Sequence, residues 1–251
     1  MNANPLVIDA WRGLLALGRV QSSYLSCLLI QCLTVLLWWP KSNLSGALST
    51  EVGPNTYLAT LIALGITLGY QNLRSGCEEI IADSQQSVRE WVLSTQLPLS
   101  SVLLGVLGSF LLQQFYWTLL SLPIVMVAYA GGDGNLTALT FNLLVIALFS
   151  AVCRLLGMFI YLLVGHLESL SYYLSRGAFV AGYIGLAHWF PSLAHWQVVR
   201  DSLALCPATI EQLSGVGENF LAVYAGTLTV LCGSLTLVWY LHRRQKAQSP
   251  L

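Results

Sequence analysis

The stretch "ALTFNLLVIALFSAVCRLLGMFIYLLV", residues 138–164, decides the fold, because apolar residues dominate it and Arg154 is its one charged residue. A helix needs about 20 predominantly apolar residues to cross a hydrocarbon core of about 30 Å, and this run is longer. Its apolar residues are continuous rather than alternating, which favours a membrane helix over a barrel strand. The sequence therefore predicts a helical integral membrane protein.

The composition of the whole chain agrees with that prediction. Hydrophobic residues make up 56% of the 251 positions and charged residues 9%, whereas soluble domains carry roughly a quarter charged residues. The net charge of zero gives no electrostatic basis for binding nucleic acid, so we predict no nucleic-acid partner. The six cysteines form no CxxC pair, and we interpret them as small apolar residues. We predict no metal and no cofactor in this chain.

We predict an all-α polytopic protein with six membrane-spanning helices in a single transmembrane domain, residues 1–251. The third predicted span contains Pro123, where we expect a tilt or a kink. The predicted spans cover residues 24–39, 57–73, 102–130, 138–164, 178–190 and 220–241.

An even number of spans places both termini on one face of the membrane. Most of the Lys and Arg residues lie on that face, and basic residues favour the cytoplasmic side. We therefore predict both termini in the cytoplasm, with the protein in a bacterial plasma (inner) membrane. Residues 1–22 place Val7 and Trp11 near one helical face and Asp9 and Arg12 away from it, which predicts an amphipathic N-terminal helix in the cytoplasmic interface.

The segment between the last two predicted spans, residues 191–218, is external in this topology and too apolar for a free loop. It predicts one or two short helices at the outer leaflet, broken at Pro191 and Pro207. The triplet "AHW" occurs at 187–189 and 194–196, so His188 and His195 would share one face of a continuous helix. We favour an aromatic interface belt over a haem or metal site here.

The motifs of common membrane enzymes are absent from the sequence. Lysine occurs only at Lys41 and Lys246, and neither follows a glycine-rich loop, which excludes a P-loop. Ser109 and Ser234 are the nearest candidates for the nucleophile of an intramembrane protease, but no predicted span other than the fifth contains a histidine. We therefore predict that the chain is not an enzyme.

Arg154 is the one ionisable residue placed firmly inside a predicted span, where a charge is costly and often functional. Its guanidinium can reach the interface or pair with a carboxylate such as Glu168 or Glu78. The predicted spans contain essentially no buried carboxylates, which disfavours ion-coupled transport.

The cytoplasmic segment after the second span, residues 74–101, contrasts with the rest of the chain because it is polar and charged. Ile81, Val88 and Trp91 recur at roughly helical spacing, which predicts an amphipathic helix with one face free for a soluble partner. Pro98 then disfavours a helical conformation at the preceding residue and ends the segment.

The sequence "DSQQSVREWVLSTQLPLSSVLLGVL", residues 83–107, follows the second of six predicted spans and resembles the permease subunit of type-2 ABC exporters. That family carries here a charged patch, a small residue, a glutamate, an apolar run and a Thr-Pro-Leu-Ser type of turn. Three features depart from it: "DSQQS" replaces a doubly charged run with glycine, Gln96 and Leu97 separate the threonine from the proline, and Val106 or a residue beside it stands where the family often has lysine. The matching residues are Asp83, Ser87, Glu90, Trp91 to Leu93, Thr95, Pro98, Leu99 and Ser100.

The resemblance implies a half-transporter whose segment 83–93 is a coupling helix, docked on a separate ABC ATPase subunit that binds ATP and magnesium. The implied partners also include a second permease copy, identical or similar, and membrane lipids. Two alternatives remain open: a haem-exporter-like permease of cytochrome maturation, and a non-transporting membrane scaffold or assembly factor. The implied ATPase-coupling residues are Asp83, Ser87, Arg89, Glu90, Trp91, Thr95 and Pro98.

Overall fold

A computed structural model of the chain describes residues 7–8, 11–12, 19–39, 53–77, 98–130, 136–164, 168–205 and 210–248. Every regular element in these ranges is a helix, which confirms the predicted all-α class. A single 3₁₀ turn, Pro191–Leu193, lies among them. The α-helices are α1 (Arg19–Trp38), α2 (Gly53–Cys77), α3 (Leu99–Ala130), α4 (Leu136–Val164), α5 (Glu168–Trp189), α6 (His195–Ala204) and α7 (Ile210–Gln248).

Three helices contain a segment that is long and apolar enough to cross a membrane. These segments are Leu107–Ala130 in α3, Leu136–Tyr161 in α4 and Gly215–Leu237 in α7. They identify the chain as a membrane protein. The other three predicted spans also fall on long helices, α1, α2 and α5.

Several helices extend beyond the predicted spans. Helix α7 begins at Ile210, ten residues before the predicted start of its span, and α3 continues through Pro123 as one helix. The backbone hydrogen bonds of a helix continue through polar residues at the ends of an apolar run, and hydropathy does not register those residues. A span predicted from hydropathy is therefore shorter than the helix that contains it in these cases.

Helix α2 is the centre of the bundle. It contacts α1, α3, α4, α5 and α6, and Leu61, Leu64 and Leu68 on it are fully buried. Polar residues of the same helix are buried as well, among them Thr60 and Asn72. A helix surrounded by other helices can bury polar groups that a lipid-facing helix cannot, because its neighbours offer hydrogen-bond partners.

Two glycines face each other where helices α2 and α4 cross. A Cβ atom at Gly157 would overlap the carbonyl oxygen of Leu73, and a Cβ atom at Gly76 would overlap the carbonyl oxygen of Arg154. Small residues at a crossing allow membrane helices to pack backbone against backbone. The α2–α4 crossing therefore requires glycine at both positions.

The outer surface of the bundle is apolar. Helix α1 exposes large aliphatic side chains along its length, among them Leu25, Leu29, Leu36 and Leu37. Such a surface fits contact with lipid hydrocarbon rather than with water. Near the N-terminus, residues 7–8 and 11–12 are helical, Val7 lies close to Gly108 of α3, and Trp11 is exposed.

Candidate functional site

The whole of the predicted coupling helix, residues 83–93, lies in the range 78–97, which is outside the described residues. This applies to six of the predicted coupling residues: Asp83, Ser87, Arg89, Glu90, Trp91 and Thr95. Pro98 is described; it is exposed, and its carbonyl oxygen accepts a hydrogen bond from the N–H of Ser101 at 3.0 Å, in the first turn of α3. The segment therefore connects the end of α2 at Cys77 with the start of α3 at Leu99.

Arg154 takes part in a buried polar cluster between α2, α3 and α4. Its side chain is buried, and Nη1 donates a hydrogen bond to Oε1 of Gln113 at 2.8 Å. On the neighbouring residue of α3, Oε1 of Gln114 accepts a hydrogen bond from Nδ2 of Asn72 at 3.1 Å. Both alternatives for a carboxylate partner, Glu78 and Glu168, have side chains outside the described part of the structure.

A second set of polar contacts holds α1 against the bundle. Nε2 of Gln31 donates hydrogen bonds to Oγ of Ser121 at 3.1 Å and to Sγ of Cys27 at 3.3 Å, and this thiol lies 3.3 Å from Oγ1 of Thr67. At the other end of α1, Oγ1 of Thr56 donates to the carbonyl oxygen of Trp38 at 2.8 Å. Side-chain contacts thus join α1 to α2 at two positions along its length and to α3 at one position.

Between the two contacts that join α1 to α2, an apolar groove of about 390 Å³ separates these helices. Its walls are aliphatic or aromatic apart from Thr34, whose hydroxyl already donates to the carbonyl oxygen of Ile30 at 2.7 Å. A groove with so largely apolar a lining suits a hydrocarbon chain. Its lining comprises Thr34, Trp38, Leu58, Ala59, Ile62, Ala63 and Ile66.

The short helix α6 packs into the cleft between α2 and α4. The ring of His195 stacks on Phe149 with centroids 4.8 Å apart, and Oγ of Ser202 donates a hydrogen bond to Oδ1 of Asn142 at 2.7 Å. These two pairs show that α6 runs antiparallel to α4. Phe149 lies in the middle of α4, so the N-terminus of α6 reaches the middle of the bundle. The segment predicted to form short helices therefore does so, and one of them lies inside the bundle.

His195 is fully buried, and a histidine fits there because Gly65 has no side chain. A Cβ atom at Gly65 would overlap the imidazole, whose Nε2 lies 3.5 Å from the carbonyl oxygen of Ile62. His188, in contrast, is exposed at the end of α5, and the chain leaves the helical path at Phe190 to Ala194. The helix is broken between the two histidines at Pro191, where the sequence predicted a break, so they do not share a helical face.

The packing of α6 leaves one of its own buried polar atoms unpaired. Nδ1 of His195 has no hydrogen-bond partner among the described residues. Each unsatisfied buried group costs about 1–3 kcal/mol. The cleft around α6 is therefore packed tightly but is not optimal in its hydrogen bonding.

Acid is expected to destabilise the protein through His195. Burial lowers the pKa of His195 to about 4, whereas an exposed imidazole takes up a proton near pH 6.5. Its described ring neighbours, Phe149 and Tyr183, are uncharged at these pH values. The unfolded chain thus binds more protons between pH 6.5 and 4, and stability falls as the pH drops, by about 2 kcal/mol between pH 7 and pH 5.

This effect is measurable as the fall of the thermal unfolding midpoint in detergent between pH 7 and pH 5. The fall should be smaller in His195→Gln, which cannot titrate, and unchanged in the matched variant His188→Gln, because His188 is exposed. Equal falls in the wild type and in His195→Gln would contradict the assignment.

The structure adds residues that sequence reasoning missed. Gln113, Gln114, Asn72 and Gln31 hold helices together, and the signal that could have found them is an amide side chain within an apolar run. The described residues contain no group of three metal-ligating side chains, and the four cysteines whose side chains are described, Cys27, Cys32, Cys153 and Cys232, are free thiols.

Comparisons with protein families, with curated proteins and with solved structures give no match to this chain.

Proposed function

We propose that the chain is the membrane-spanning permease subunit of an ATP-binding-cassette exporter, driven by a separate ATPase subunit. The observation that carries the proposal is the position of the polar segment 78–97. It follows directly on α2, the helix at the centre of the bundle, and leads into α3, which is apolar enough to cross the membrane. A force applied to this segment would act on the centre of the bundle rather than on its edge.

In this proposal α1 to α5 and α7 each cross the membrane. The six helices contain 20, 25, 32, 29, 22 and 39 residues, which meets or exceeds the length of about 20 residues that a crossing requires. Helix α6, with 10 residues, is too short to cross and dips into the bundle from outside. Both termini then lie in the cytoplasm of a bacterial cell, as the distribution of basic residues favours.

The mechanism begins at the coupling helix, residues 83–93, which would sit in a groove of the ATPase. When two ATPase subunits close on ATP and magnesium, they push on the coupling helices of two permease copies. The Arg154–Gln113 and Asn72–Gln114 hydrogen bonds link α2, α3 and α4 and would let these helices move together. This movement would expose a pathway between the two permeases alternately to each side, and this chain performs no catalysis.

The topology has a direct test. Cysteines introduced at Gln85 and Arg200 should react with a membrane-impermeant thiol reagent from opposite sides: position 85 only in inverted vesicles and position 200 in intact cells. Arg200 is exposed on α6, so its label does not require unfolding. The unmodified chain is the control for its native thiols. The reverse pattern would exclude the coupling role of the segment.

The partner is tested by co-purification. The tagged chain, solubilised from its native membrane, should retain a subunit that mass spectrometry identifies by its nucleotide-binding motifs. A scaffold or assembly factor would retain none.

A further inference from the structure

Helix α6 is attached to the bundle differently from the six long helices. Only one of its faces is buried, formed by His195, Val198, Val199 and Ser202, while Arg200 on the other side is exposed. The polar side chains of the outer face bond within α6 itself: Nε2 of Gln197 donates to the carboxylate of Asp201 at 3.0 and 3.1 Å. These bonds would remain intact if α6 left the cleft.

Among the described residues, few hydrogen bonds join α6 to its neighbours. Ser202 donates to Asn142 at 2.7 Å, and Nε2 of His195 approaches the carbonyl oxygen of Ile62 at 3.5 Å, the limit of a hydrogen bond. At His195 a second polar atom, Nδ1, is buried without a described partner. This atom is closed off from solvent while α6 lies in the cleft, and separation of α6 would expose it to water. Hydration would thus lower the free energy of separation, while loss of apolar contact at Val198 and Val199 would raise it.

Both ends of α6 can act as hinges. Ala194, the residue before it, is extended with φ −78° and ψ 126°, and follows the turn Pro191–Leu193; at the other end Leu205 has left the helical conformation, with φ −90° and ψ 7°. Rotation at these two residues would move α6 without altering the hydrogen bonds inside α5, α6 or α7.

From these contacts we infer that α6 leaves the α2–α4 cleft as a unit, while the long helices stay packed. In the separated state water reaches the polar edge of the His195 ring and the amide of Asn142, and the face of α4 that carries Phe149 is uncovered. The inference does not rest on the proposed function, because it concerns an equilibrium within this chain alone.

Hydrogen–deuterium exchange of the full-length protein in lipid nanodiscs tests the inference. Peptides covering residues 195–205 should exchange at least tenfold faster than peptides covering residues 61–68 of α2 and 145–155 of α4. If residues 195–205 exchange as slowly as those two segments, α6 is a permanent part of the core and the inference is wrong.

Two variants should shift the equilibrium in opposite directions. In Gly65→Ala the new methyl group would displace His195, so exchange in residues 195–205 should rise at least tenfold further. The matched control is Gly226→Ala, where the new methyl group meets nothing within 4 Å and exchange should not change. Faster exchange in all helices of Gly65→Ala would indicate global opening and contradict separate movement of α6.

The double variant Asn142→Leu with Ser202→Ala removes both polar side chains of the hydrogen bond between α4 and α6. Apolar groups of similar shape then face each other, so α6 should be held more tightly and exchange in residues 195–205 should slow severalfold. Unchanged or faster exchange would overturn the inference. This variant and the wild type decide the question even if Gly65→Ala does not fold.

Discussion

Gly157→Ala should destabilise the protein by roughly 3 kcal/mol or more, although alanine at most exposed helical positions is about 1 kcal/mol better than glycine. The new methyl group would overlap the carbonyl oxygen of Leu73, which belongs to the backbone and cannot change rotamer. To make room, α2 and α4 must separate, and the whole close crossing between them loses contact. Since α2 is the centre of the bundle, we expect little folded protein.

The matched control is Gly226→Ala on α7. A Cβ atom there meets nothing within 4 Å, so the substitution should be neutral or slightly stabilising. Thermal unfolding and size-exclusion chromatography in detergent compare the two variants. If both variants unfold at the wild-type temperature, a Cβ atom at position 157 does not overlap the backbone of α2, and the contact between α2 and α4 is looser than inferred. An equal loss of stability in both variants would mean that the bundle does not tolerate alanine at glycine positions in general.

The second large effect is expected for Glu90→Ala combined with Trp91→Ala, and it follows from the proposed function. Tryptophan is enriched among the residues that dominate binding energy at interfaces, where truncation costs 2 kcal/mol or more. Loss of both side chains from the proposed coupling helix should therefore weaken retention of the ATPase subunit by at least about thirtyfold. It should also uncouple ATP hydrolysis from transport while the bundle stays folded.

A matched pair outside the segment controls for this test. Glu218→Ala with Trp189→Ala removes the same two residue types from exposed positions on α7 and α5, and should leave ATPase retention unchanged. An intact complex with normal ATPase activity in the Glu90 and Trp91 variant would exclude residues 83–93 as the coupling helix. Loss of folding in that variant alone would show that the segment is part of the bundle.

The sequence by itself determined the class of the protein. A long apolar run such as residues 138–164 can cross a membrane only as a helix. In a helix each backbone N–H and C=O group finds its hydrogen-bond partner within the same segment, and lipid offers none. That requirement concerns one segment at a time, so the sequence of the segment is enough to predict the helix. The long helices were found for the same reason, and their ends were missed because hydropathy changes before the helical hydrogen bonds stop.

Only the tertiary structure decided which residues lie inside. Arg154 bonds to Gln113, which lies 41 positions earlier in the chain, and His195 approaches Ile62 across 133 positions. No periodicity could indicate these pairs. The structure alone likewise shows that His195 is buried whereas His188 is exposed.

The central position of α2 has the same origin. Its sequence is less apolar than that of α4, and hydropathy alone would rank it as a weaker membrane helix. Its place at the centre instead follows from Gly65 and Gly76, which admit His195 and the backbone of α4. Composition acts on a segment alone, whereas packing depends on the shapes of two segments that meet only in the folded chain. The sequence therefore determined that helices form in a membrane, and the tertiary contacts determined which of them is the core.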